Sequence, residues 1–373
     1  MTLAYRFNAF ALGAQLLLFS TGMQTSVSRA APSPAIAASP VQPVHTVRTT
    51  HWFAEIAPRH GGQLLHLRHL PSGHEVFHYP ETREQFLAQP ERFGVPVLFP
   101  PNRIADGRFT WRGRDYVLPV NERAPRNNHL HGIVLHEPWQ IEVSPPEEAA
   151  PDHARVILSF RHDNTRATFS GYPYTFLLTI TYEFSPDEVG QTTCLRNLDT
   201  HDAKIPMPFG LGFHTAFRLP PPQQTRSHLR VTAADYHWEL DPVRRLPTGA
   251  RIPWPEGERY QIAAGQTIDP CRPLVYHCPA ITELIDGKPF RGALLDFPEQ
   301  NLRLTYEVGG DFKHWFLWTP PDDSRVLCIE PMTWMVNAPN QLLPPETTGM
   351  LSLNSGDTWE TATRIRLLRH RFQ

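Results

Sequence analysis

Two side chains of complementary proton chemistry stand in apolar surroundings. His214 lies inside the glycine-flanked run Pro208–Phe217, and Glu330 directly follows Val326–Ile329. An imidazole titrates near neutrality and can give or take a proton at working pH. A carboxylate kept ionised by neighbouring donors can serve as a general base. Residue type alone does not set either apart: a histidine in an apolar run is commonly structural, and a carboxylate at a strand end commonly faces water. Arg103 offers a planar set of donors that suits hydroxyl groups, or is a turn residue at the surface. His129 and His131, two apart, would project from one face of a strand as half of a metal site. Nothing completes that site. The nineteen histidines are scattered, with no HExxH and no Cys/His knuckle spacing, so neither a metal nor another cofactor is expected.

Residues this far apart meet only if the chain folds back repeatedly, and the intervening pattern points that way. Phe53–Ile56, Leu64–Leu67, Arg155–Phe160, Tyr174–Phe184, Leu302–Tyr306, Trp315–Trp318, Val326–Ile329 and Ala362–Leu368 alternate or are rich in β-branched and aromatic residues, as strands are. Turn pairs such as Ser72-Gly73, Asp106-Gly107, Asp286-Gly287 and Gly309-Gly310 punctuate them. Only Thr82–Ala88, and Glu91–Phe93 after Pro90, suggest helical turns. The 39 prolines in 373 residues disfavour long helices. The pattern predicts an all-β fold, a large antiparallel β-sandwich. No composition shift divides Val47 to Gln373, so one domain is expected there.

Met1 to Ala30 reads as a secretory signal: Arg6, then a mostly apolar, charge-free Phe10–Met23, then Ser28-Arg29-Ala30 as a cleavage site. The expected location is periplasmic or extracellular, or cytoplasmic if that segment is not a signal. Ala31 to about residue 46, rich in Pro, Ala and Ser, reads as a linker without structure. Of the four cysteines, Cys271 and Cys278 could close a small disulfide loop, whereas Cys194 and Cys328 sit in runs expected to be buried strands. A formal charge of −2 leaves no electrostatic footprint for nucleic acid, and the apolar N-terminal stretch is too short for a stable membrane span.

Six segments, in order, resemble the aldose 1-epimerase family. They are Gly94-Val-Pro-Val-Leu-Phe-Pro-Pro-Asn-Arg-Ile104 with Gly107-Arg-Phe109; Asn121 with Leu130-His-Gly132; Gly171-Tyr-Pro173 before Thr181-Tyr-Glu183; Pro208-Phe-Gly-Leu-Gly-Phe-His214-Thr-Ala-Phe217; Leu246-Pro-Thr-Gly249; and Cys328-Ile-Glu330-Pro-Met-Thr333 with Asn337-Ala338. The resemblance covers roughly Val47 to Leu368. It implies a galactose mutarotase-like supersandwich and an isomerase that interconverts the α and β anomers of a free hexose. It assigns His214 as the acid and Glu330 as the base, with Arg103, His131 and Asn102 binding the sugar. Trp111, Phe209, Trp318 and Trp334 are the aromatic candidates for stacking on a sugar face.

Three departures bear on the sugar. The family's "HpyF" reads His214-Thr-Ala-Phe217, its "LHGG" reads Leu130-His-Gly-Ile133, and the aspartate of galactose mutarotases has no clear equivalent near Pro273–Gly287, Asp269 and Asp286 being poor matches. A hexose-6-phosphate 1-epimerase is an alternative, with Arg123 and Arg126 near His131 as phosphate ligands. So is a non-catalytic carbohydrate-binding module on the same fold, disfavoured by the presence of both His214 and Glu330. A polysaccharide-processing enzyme would need a carboxylate pair or a Tyr/Arg set that the sequence does not assemble.

Overall fold

The computed structural model describes residues 39–144, 150–200, 204–220, 227–254, 266–267, 274–323 and 325–372. Two large antiparallel sheets dominate. One has nine strands, running in the order 140–144, 154–162, 176–185, 188–197, 358–369, 302–308, 292–297, 228–231 and 266–267. The other has eight: 247–253, 236–240, 275–279, 314–318, 326–332, 212–213 and 97–98, with 215–218 also paired to 326–332. The expected strands all form. Most grow by one to a few residues into the turns, as in Ala154–His162 and Thr358–Arg369, whereas the one expected from Tyr174 begins at Phe176.

Alternation decides which face of each strand is buried. Ala154–His162 and Phe176–Ser185 send Val156, Leu158, Ile180 and Tyr182 inward. Leu317, Leu327 and Ile329 of the eight-stranded sheet join the same core, each fully buried, and each worth about 1.5–3 kcal/mol. A hydroxyl contact crosses that core, Thr215 Oγ1 to Tyr306 Oη at 2.9 Å. The opposite face of the eight-stranded sheet carries the site residues.

Helix is confined to short turns. Arg83–Ala88 is an α-helix with Thr82 as N-cap and a reciprocal bond from Gln85, its Phe86 buried, because a Thr-x-x-Gln box satisfies two otherwise orphaned donors. Pro90–Arg92 is a single 3₁₀ turn. Helical turns at Pro298–Gln300, Ala338–Asn340 and Pro345–Thr348 carry no periodic apolar signal in the sequence.

The linker expectation fails from Ser39 onward. Val41 is fully buried among Ala57, Leu65, Phe86 and Phe93, and His45–Arg48 pairs with the strand Trp52–Ala57. Proline-rich composition suggests a spacer, but an apolar side chain that finds a groove outweighs it. The signal and the first half of the linker (residues 1–38) lie outside the described residues. Cys194, Cys278 and Cys328 are free thiols, the last two buried; Cys271 is outside the described residues.

A four-stranded sheet (45–48, 52–57, 63–69, 74–75) holds a polar cluster. His66 Nε2 lies 2.6 Å from Glu75 Oε2, and its Nδ1 lies 3.8 Å from Glu55 Oε2. Tyr79 donates to Glu55 at 2.5 Å, and its oxygen lies 2.8 Å from the Ser39 hydroxyl.

Candidate active site

Strand register brings His214 and Glu330 together. Gly212 pairs with Met332 and Thr215 with Ile329, so the same antiparallel register sets His214 directly opposite Glu330, on one face. His214 Nε2 stands 3.2 Å from Glu330 Oε1, and the two side chains are only 4% and 1% exposed. On its other side Glu330 pairs with Phe316, which pairs with His277. The His214 backbone N–H donates to Pro96 at 3.0 Å, tying the histidine to the Val97–Leu98 edge. Gly210 permits this packing: a Cβ there would stand 2.3 Å from the Trp334 ring.

Arg103 and His131 converge from a second small sheet, where Arg103–Ala105 pairs with Asn128–Leu130. His131 follows that strand in the left-handed region, φ +65°, and its N–H donates to the Asn102 carbonyl at 2.9 Å. That twist breaks the expected alternation with His129. The His131 ring turns edge-on to His214, centroids 5.0 Å apart, while His129 Nδ1 meets the Pro119 carbonyl at 2.7 Å. The two histidines therefore serve different surroundings and do not form a ligand pair. Gly132, φ +82°, is required next, since a Cβ there would lie 2.3 Å from the Phe99 carbonyl oxygen.

Glu122 fixes Arg103 through two bonds of 2.9 Å, and Arg103 Nη1 donates to Asn102 Oδ1 at 3.2 Å. Arg103 overcomes the burial of Glu122 and, helped by Asn128 and Arg126, pulls its carboxyl down to about 2. Asn102 is buried at 1% exposure, so its side chain supports Arg103 from behind. Of the aromatic candidates, Trp334 and Phe209 are buried, and Trp111 is tied by its ring N–H to Pro206. Trp318 alone meets the pair, 5.8 Å from the His214 ring. Arg92 in turn lies over Trp318 at 5.4 Å and is held by Asp322 at 2.8 and 2.9 Å.

Burial governs the protons. It pushes Glu330 well above the ordinary carboxylate range, opposed by the positive charge of Arg103. It lowers His214 to about 3 and drives His131 well below the imidazole range. A charge on either partner alone is costly here. Both shifts favour the neutral forms, a Glu330 carboxyl beside a His214 imidazole, so that one titratable proton rests on the pair. His214 Nδ1, Glu330 Oε2 and His131 Nδ1 are buried without a hydrogen-bond partner. Polar atoms left unmatched in this way suit an incoming polyhydroxylated ligand.

Glu122 and Arg92 went unassigned in the sequence. The only signals were that Glu122 adjoins Asn121 and that Arg92 stands two residues before Gly94 of the first motif. The segment expected to supply an aspartate gives the strand Val275–Pro279, whose His277 sits between the Trp315 carbonyl and the Val336 N–H. Asp286 lies in an exposed turn, and Asp269 is outside the described residues.

A family model described as aldose 1-epimerase matches residues 44–366. Among solved structures, a galactose mutarotase-like protein from Clostridium acetobutylicum superposes with a TM-score of 0.79 at 27% identity, covering 87% of this chain and 94% of that one. An aldose epimerase homologue from C. elegans gives 0.67 at 16% identity, covering 88% and 99%. Galactose 1-epimerase from Lactobacillus acidophilus gives 0.63 at 16%, covering 87% and 94%; the last two likenesses speak to the fold. Among curated proteins, the uncharacterized protein YihR of Escherichia coli is 44% identical over 46 residues. That match spans 12% of this chain and 15% of YihR.

Proposed function

The chain belongs to the aldose 1-epimerase family, and from that premise we propose that it interconverts the α and β anomers of a free hexose, with Glu330 as base and His214 as acid. The carrying observation is the 3.2 Å contact between His214 Nε2 and Glu330 Oε1 in a buried site. The Glu330 carboxylate takes the proton of the anomeric hydroxyl while the protonated His214 gives one to the ring oxygen. The C1–O5 bond opens to the aldehyde, C1–C2 rotates, and closure on the other face returns both protons. The resting pair is neutral, GluH/His; moving its proton across the 3.2 Å contact gives the reactive Glu⁻/HisH⁺, and opening returns GluH/His, so a one-proton pair runs the cycle without exchange with solvent. Arg103 favours the ionised Glu330 and, with His131, faces the sugar hydroxyls; Asn102 and Glu122 hold Arg103 in place.

A free sugar fits better than a phosphorylated one. Arg126 is already bonded to Glu122 at 2.6 Å, and Arg123 is exposed. A buried His/Glu pair also distinguishes an enzyme from a binding module, which gains nothing from two desolvated titratable groups. The N-terminal signal pattern supports export, which sequencing the mature N-terminus would test. Among the described residues no helix is long and apolar enough to cross a membrane.

Polarimetry on freshly dissolved α-glucose and α-galactose tests the reading. The wild type is expected to speed equilibration of at least one aldose, and Glu330→Gln and His214→Asn to lose that effect. No acceleration by the wild type with any aldose would end the enzymatic reading, and full activity in both variants would end the residue assignment.

A further inference from the structure

A polar cavity of about 300 Å³ lies on the same sheet face as the His214/Glu330 pair. Val326, on its wall, is four residues from Glu330 along one strand, so both face the same side. At about 3.3 Å per residue the two points are ~13 Å apart. The intervening row is Ala216, Cys328 and Trp318, joined by register. Arg92 is common to both places: it lies over Trp318, whose edge meets His214, and it lines the cavity.

The lining indicates the class of occupant. Its cations are already matched, Arg92 to Asp322 at 2.8 Å and Arg325 to Asp323 at 3.1 Å and Glu81 at 3.8 Å. No unmatched cation remains there for a phosphate or carboxylate. Donors and acceptors are nonetheless dense, and Tyr79 and His78 add flat surfaces, the latter stacked on Phe93 at 5.0 Å and 13°. Arg92 Nε is buried without a partner. Closely spaced donors and acceptors beside aromatic faces, with three carboxylates to two arginines and no free cation, match a neutral pyranose rather than an anion.

We propose that this cavity is a second sugar subsite, and that the substrate is the reducing end of a short neutral oligosaccharide. This rests on the function proposed above: the anomeric carbon lies at His214 and Glu330, the chain passes Trp318, and a further ring sits between Arg92, Tyr79 and Arg325.

The test compares mutarotation of α-glucose, α-maltose and α-lactose by wild type and Ala88→Trp. Ala88 lies at the cavity rim, where an indole fills the space without removing a hydrogen bond. The wild type is expected to show kcat/KM at least tenfold higher for a disaccharide than for glucose, chiefly through KM. Ala88→Trp is expected to abolish that preference and leave glucose unchanged; Gln89→Trp substitutes if the first variant does not fold. Equal kcat/KM for all three sugars in wild type, or a preference that survives the filled cavity, overturns the subsite. Calorimetry with methyl maltoside and methyl lactoside, which cannot mutarotate, separates the two readings. Binding to wild type that is lost in Ala88→Trp supports the subsite even if no sugar is turned over, and absence of binding to wild type refutes it even if glucose is.

Discussion

His66 and His214 each place Nε2 against a glutamate, at 2.6 Å from Glu75 and 3.2 Å from Glu330, yet the two pairs behave oppositely. Burial acts to lower the His66 pKa, but hydrogen bonds to Glu55 and Glu75 outweigh it and the net shift is upward. Glu75 is lowered in turn, His66 overcoming its burial. That pair is an ion pair with a second carboxylate in attendance. At His214 burial is not compensated: the imidazole is lowered to about 3 and Glu330 is raised. A His–Glu contact thus stabilises the fold when other groups complete it. Left incomplete, it stores unmet hydrogen bonding that a substrate can use.

The sharpest way to break the comparison is to neutralise each glutamate. Glu330→Gln is expected to lower kcat by on the order of 10²–10⁴ while raising the melting temperature. At neutral pH the unfolded Glu330 is ionised and the folded one is not, so the native carboxyl costs stability that the amide does not. Glu75→Gln is expected to leave kcat within roughly twofold and to lower stability by about 1–3 kcal/mol. Polarimetry and calorimetry on both variants decide it, and similar behaviour of the two would remove the distinction.

Arg103→Lys comes next. Lysine cannot reproduce the two-bond grip on Glu122, so KM is expected to rise roughly tenfold with a smaller fall in kcat. Steady-state kinetics would read it.

The smallest effect is the pH dependence. Because the His66 pKa is raised from 6.5, its stabilisation is complete below pH 6.5 and is lost as pH climbs through the higher folded value. Stability should decline on the alkaline side of 6.5, and His66→Gln should flatten that decline in a pH series of melting curves. kcat/KM should instead stay level on the acid side, from 6.5 down toward 4, since the active pair gains a second proton only near 3, the lowered value of His214.

The strands were legible because alternation is local: Val326–Ile329 and Trp315–Trp318 announce themselves in a handful of residues. The capped turn at Thr82 was legible for the same reason. His214, Glu330, Arg103 and His131 were readable as members of ordered motifs, not from their types. What sequence could not show is long-range pairing. Nothing local says that Trp318 lies against His214, that Glu122 clasps Arg103, or that Val41 leaves a proline-rich stretch to enter a core. Those facts depend on which strand lies beside which. His131 was misplaced relative to His129 because a left-handed residue at a strand end is invisible to a period-two pattern.

The antiparallel register that pairs Gly212 with Met332 and Thr215 with Ile329 also sets how this protein can change over time. Acid and base sit on different strands and meet only because both are counted from the same crossing point. Substituting a neighbour such as Cys328 perturbs their surroundings. Adding or deleting one residue between 212 and 218, or between 326 and 332, sends one of them to the far side of the sheet. Tolerance along these two stretches should therefore be generous to replacement and nearly nil to changes of length, so that surviving insertions among the molecule's descendants collect in its turns.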